Sequence, residues 1–213
     1  MKTDDLIKLL AAGDVTVAPN MAARRYAIGL GAGLLVATAL MLALLGFRAD
    51  MSHDTGNPML WIKTAFIGWT ALTAFAVMTQ LARPGTALAR GPALLGAGVA
   101  VLWIVAAIAI ARAAPSEWPE LVLGVSWDQC PVYIATLAVP VFVGALWALR
   151  GMAPTRPRLA GATAGLVAGA AGALVYSFHC PELTAPFLAV WYVLGMLALA
   201  PIGAWIGPRV LRW

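Results

Sequence analysis

The chain is 213 residues long, 62% hydrophobic and only 11% charged, with a mean hydropathy of +0.87. A water-soluble domain is nearer half apolar and a quarter charged, so an ordinary soluble enzyme or binding module is excluded. The net charge of +5 and pI of about 9.7 could be read as a nucleic-acid footprint, but the arginines stand at the ends of apolar runs, as they do at membrane faces. Direct nucleic-acid binding is not expected.

Residues 1–25 are polar and read as a tail of their own. Thr3 can cap a helix, Asp4 and Asp5 suit its positive N-terminus, and Gly13 can end it. Leu6, Ile7, Leu9 and Leu10 then share one face at helical spacing. Roughly nine residues fall short of the ~12–15 that give even marginal helix stability in water, so this helix needs the membrane, the chain's own loops or a partner to pack on. An apolar face beside an acid pair fits a groove in a basic protein better than the anionic inner leaflet. Arg24-Arg25 ahead of an apolar run invites a twin-arginine reading, but the run is too long and greasy for a signal-peptide core. A first span with basic flanks is expected instead.

Six apolar runs follow: Tyr26–Phe47, Met59–Ala82, Pro92–Ala111, Pro131–Leu149, Leu159–Phe178 and Phe187–Gly207. Each is near the ~20 residues that cross a bilayer core, and in lipid the backbone must satisfy itself as helix. The expected fold is therefore all-α: a bundle of six transmembrane helices over 26–207, a short N-terminal helix in the 1–25 tail and a C-terminal tail over 208–213. Eleven basic residues fall in the N-terminal tail, the Arg83–Gly91 and Arg150–Arg158 loops and the C-terminal tail. The loops Arg48–Pro58, Arg112–Cys130 and His179–Pro186 hold two. The positive-inside rule then puts both termini in the cytoplasm.

Within the spans, Gly29, Gly31 and Gly33 follow no strand, so a nucleotide-binding loop is rejected. Lys63 is the one basic residue inside a span and is expected to snorkel from near the outer end of span two. Trp118 and Trp127 are expected at headgroup level. Pro140 and Pro201 should kink spans four and six. Gly161, Gly165 and Gly169 recur every four residues and should let another helix approach closely. Deep ionisable groups that an ion-coupled transporter needs are otherwise missing from the runs.

Cys130 and Cys180 are the only thiols, and each is followed by proline. Both belong to outer loop ends by the charge pattern, in a compartment where disulfides persist. Proline suits a first helical turn, and a thiol at a helix N-terminus has its thiolate favoured. Three readings stand side by side: a structural disulfide joining spans four and six, a redox- or metal-responsive pair with His179 as a third ligand or thiol-tuning group, and two unrelated thiols. Two Cys and one His make an incomplete zinc set, and fifty residues between the thiols argue against a C-x-x-C type oxidoreductase.

Several motifs also carry a resemblance. They are Lys2-Thr3-Asp4-Asp5-Leu6-Ile7-Lys8-Leu9-Leu10, Leu45-Gly46-Phe47-Arg48-Ala49-Asp50, Arg83-Pro84-Gly85, the two Cys-Pro sites, His179-Cys180-Pro181-Glu182 through Trp191-Tyr192, and Leu211-Arg212-Trp213. In their order and spacing the chain resembles the NrsF-type family of six-span bacterial inner-membrane anti-sigma factors. The resemblance implies a non-enzymatic stress-response regulator without a cofactor. Its tail would hold an extracytoplasmic-function sigma factor through Asp4, Asp5, Leu6, Ile7, Leu9 and Leu10, and Cys130 and Cys180 would sense an outer-face signal. Membrane lipid is its other partner. A membrane thiol oxidoreductase, a quinone-coupled protein and a small-molecule transporter are the alternatives.

Overall fold

A computed structural model of the chain describes residues 3–12, 20–48, 56–83, 90–152 and 154–212. Among these there is no strand, and six helices are long and apolar enough to cross a membrane. Helix α1 is Thr3–Ala12, close to the expected tail helix, with Asp4 and Asp5 in its first turn. The spans are α2 (Met21–Leu44), α3 (Pro58–Leu81), α4 (Gly91–Arg112), then α6 (Cys130–Arg150), α7 (Pro157–Ser177) and α8 (Ala185–Val210). Between α4 and α6, a 3-10 turn at Pro115–Glu117 leads into the short α5 (Trp118–Leu123).

Local chemistry sets the ends. Asn57 caps α3 by accepting from the Met59 N–H at 2.9 Å, with Pro58 in the first turn. Gly46, at φ 76°, closes α2 by donating its N–H to the Met41 carbonyl at 3.1 Å, a left-handed stop that glycine adopts without Cβ strain. At the other end of α2, Arg25 lies over the Trp147 ring at 4.6 Å and donates to the Trp147 carbonyl, tying α2 to α6.

Helix α7 is the centre of the bundle, packed against α8, α6 and α3. Its small residues are the reason. A β-carbon at Gly161, Gly165 or Gly169 would run into the carbonyl oxygens of Gly203, Leu199 and Met196 of α8, so two backbones lie in direct contact. Gly29 of α2 meets Gly144 of α6 in the same way, and Gly33 meets Pro140 and Val141. Those glycines of span one are therefore packing positions. α6 stays helical through Pro140. α8 departs from regular geometry twice, in a π-helical turn at Leu188–Tyr192 and at Ala198. The second departure lies just ahead of Pro201, whose ring would clash with the Leu197 carbonyl in an unbroken helix.

Candidate functional site

The ends of five spans converge beside the short α5, where α2 and α7 finish and α3, α6 and α8 begin. Cys130 opens α6, its N–H bonded to the Ser126 carbonyl at 2.9 Å. Cys180 follows α7, its N–H bonded to the Tyr176 carbonyl at 3.0 Å. Both are free thiols, 0% and 1% exposed, and their sulfurs share a hydrogen bond. Spans four and six are thus neighbours at this end, as a communicating thiol pair requires.

Around the sulfurs the site is polar and closed. Lys63, one turn into α3, is 1% exposed and points into the bundle. Its Nζ donates to the Glu182 carbonyl at 3.1 Å and the Cys180 carbonyl at 3.4 Å, and lies 4.7 Å above the Tyr192 ring. Snorkelling is therefore wrong for Lys63: α3 packs with this face against α7 and the thiol loop, so the ammonium is held by protein acceptors. Arg48 Nη1 adds a second cationic contact to the Cys180 carbonyl at 3.3 Å. The fully buried Tyr192 hydroxyl lies beside the Cys180 sulfur without completing a hydrogen bond.

This surrounding acts on Cys180 electrostatically. The neighbouring Cys130 thiol, the Lys63 ammonium, the Tyr192 hydroxyl and the Glu182 N–H together outweigh burial and push the Cys180 thiol down. The helix-terminus argument made from the proline motifs does not apply to Cys180, because α8 starts five residues later at Ala185. A neighbouring cation and thiol do that work instead.

The segment after α4 covers the site. The Glu182 carboxylate, itself nearly buried, accepts from the Val125 N–H at 2.8 Å and the Ser126 hydroxyl at 3.5 Å. It fills the space where a β-carbon on Gly124 would sit, and Gly124 turns at φ 54°. Thr184 and Trp191 bond the Leu121 and Val122 carbonyls at 2.9 Å, and the Trp127 and Trp191 rings lie 5.3 Å apart. This stretch is more than an interfacial segment: it is clasped onto the thiol loop. Hydrogen bonds to a charged group are worth ~1.5–3 kcal/mol, so Glu182→Ala should make opening of the segment ~10-fold or more frequent. Alkylation of Cys180 by N-ethylmaleimide should accelerate accordingly, measured as the adduct formation rate by mass spectrometry. An unchanged rate would show that Glu182 is no clasp.

Comparison with known proteins places the chain in a family. The family model described as negative regulator of sigma F, NrsF, matches residues 10–213. The chain belongs to the NrsF family. Across 213 residues it is 47% identical to the probable anti-sigma-F factor NrsF of Azospira oryzae, and across 215 it is 42% identical to the anti-sigma-F factor NrsF of Caulobacter vibrioides. Each match covers the whole of both chains. No solved structure matches the chain significantly. These names describe regulators rather than enzymes.

In this NrsF-family chain the residues singled out from sequence fall in two places. Cys130 and Cys180 meet in the buried site. His179 is half-buried beside it, its Nδ1 3.1 Å from the Gly46 carbonyl, which ties the thiol loop to the end of α2. Among the described residues no group of three His, Cys, Asp or Glu is arranged to hold a metal ion. Asp4, Asp5 and Ile7 are exposed on α1, and the side chains of Leu6, Leu9 and Leu10 lie outside the described residues. α1 leads into the end of α2 remote from the thiols, a helix ~36 Å long at 1.5 Å per residue. Sequence reasoning passed over Lys63, Glu182 and Tyr192 as site residues. Lys63 carried a usable signal, since it is the one basic residue within the six apolar runs.

Proposed function

We propose that this chain is an anti-sigma factor that holds an extracytoplasmic-function sigma factor at the bacterial inner membrane and releases it on an outer-face signal sensed by Cys130 and Cys180. Whole-chain membership in a family of negative regulators of sigma F supports the regulatory reading most directly. The loop charges favour cytoplasmic termini. Large apolar side chains on the bundle surface, such as Leu35, Leu72 and Trp205, suit a lipid surround. In that orientation the tail 1–25 faces the sigma factor, and the thiol end of the 26–207 bundle faces the periplasm.

Sigma docking is assigned to α1. Its acid pair and the exposed Ile7 fit a basic groove with an apolar floor. The sensing role rests on two buried thiols that meet, one of them pushed toward its thiolate by a neighbouring cation. A change of bond or charge there acts on α3, α6, α7 and α8 together, because each contributes a residue to the site. Converting 99% bound sigma to 99% free requires a difference of ~5.5 kcal/mol between the two bundle states.

Paired substitution Leu6→Asp with Leu10→Asp should raise transcription from the sigma-dependent promoter to the level of a deletion strain without any inducer, read with a reporter fusion. Transcription that stays repressed in this variant would remove α1 from the docking role. Repression that is absent in the wild type would remove the regulatory reading itself.

A further inference from the structure

We propose that Lys63 is a positioning residue that gives the Cys180 sulfur a buried counter-charge, so that the two thiols are unequal: Cys180 is the sulfur that reacts first and Cys130 is its hydrogen-bonding second. The inference deepens the sensing role proposed above and rests on it for its biological use, but its geometry stands alone. Lys63 is withdrawn from the membrane and from solvent, and a buried ammonium is retained only where its charge is compensated. Its three nearest protectors are the Cys180 carbonyl, the Glu182 carbonyl and the Tyr192 ring. All three are neutral, two of them being carbonyls of the thiol loop and the third the ring whose hydroxyl neighbours Cys180.

The groups facing Cys180 are Lys63 from α3, Cys130 from α6, Tyr176 from α7, Tyr192 from α8, Arg48 after α2, and His179 and Glu182 of its own loop. The Glu182 carboxylate is turned away to Val125 and Ser126. The Arg48 guanidinium is engaged with the Cys180 carbonyl oxygen. Lys63 is the cation that answers for both sulfurs. Burial disfavours a lone thiolate, and the Cys130 S–H can share but not cancel its charge.

Ultraviolet thiolate absorbance of the purified full-length protein in detergent tests this without requiring a reagent to reach the buried site. At pH 7 a free thiol, with a pKa near 8.5, is only about 3% ionised. Wild-type protein should instead show about one thiolate per chain, lost in Cys180→Ser. Lys63→Met should reduce the signal ~10-fold or more, the effect of raising the pKa past neutrality by at least one unit, while Lys63→Arg should retain most of it. Lys63→Gln keeps a donor for the two carbonyls without the charge and covers the case in which Lys63→Met does not fold. A tether without electrostatic effect would leave the signal unchanged in Lys63→Gln, which overturns the proposal, as does absence of a thiolate in the wild type. A missing thiolate alongside Cys180-dependent induction would sink this inference and spare the sensing role. A thiolate in a protein that holds no sigma factor would do the reverse.

Discussion

Valine at Gly161 or at Gly203 should prevent α7 and α8 from closing, with loss of folded protein from the membrane. Each glycine lies against the other's backbone carbonyl, so a β-carbon on either meets backbone first: the obstacles at Gly161 are the Gly203 carbonyl and the Gly207 Cα, and at Gly203 the Gly161 carbonyl, with the Phe142 ring behind it. Overpacking in an adaptable core costs ~1–3 kcal/mol, and a rigid backbone obstacle places these sites at the upper end or beyond. Helix association in lipid rests on such close packing, since lipid tails compete on equal terms with apolar side chains. The control is Gly31, or Gly68 on α3, where a β-carbon meets nothing within 4 Å. Alanine there should be neutral or slightly stabilising through helix propensity. Mild-detergent thermal unfolding of the four variants separates the two classes, and equal midpoints would show that the glycine contact does not hold the bundle together.

Cys130→Ser and Cys180→Ser should each bring the induced-to-uninduced transcription ratio down to about one, with repression intact. Serine preserves the size and hydrogen-bonding capacity of the thiol but cannot form a disulfide or capture a soft electrophile, so the resting bundle survives while its response does not. The near-complete loss from a single substitution follows from the geometry: the sulfurs are in contact, and chemistry that joins or jointly engages them needs both. A disulfide contributes ~2–4 kcal/mol in the usual loop-entropy account, less than the ~5.5 kcal/mol of a full switch. A bridge alone thus predicts partial release. Normal induction in either serine variant would rule out a required pair.

Much of the fold was legible because lipid imposes a simple code. Six runs of near-bilayer length appear as six helices, and the glycine row of α7 appears at a helix contact. Ends were less exact: α2 begins at Met21, five residues before the apolar run, because Ala22 to Arg25 continue the helix into polar surroundings. The site was legible only in its two thiols. Whether Lys63 faces lipid or protein depends on the rotation of α3 about its axis, which hydropathy does not encode and packing against α7 and the thiol loop decides. The Glu182–Val125 clasp joins positions 57 residues apart, and no local pattern announces such a contact. The meeting of Cys130 with Cys180 likewise needed the neighbouring of α6 and α7, which the small residues of α7 permit but do not name.

Co-purification of the full-length chain with its sigma factor is the most direct measurement of the regulatory role. Solubilised wild-type protein should retain the sigma factor at near-stoichiometric level, and Leu6→Asp with Leu10→Asp should lose it while the bundle remains folded. Sigma factor absent from the wild-type eluate, or carried equally by the α1 variant, would contradict a membrane anti-sigma factor that works through its N-terminal helix.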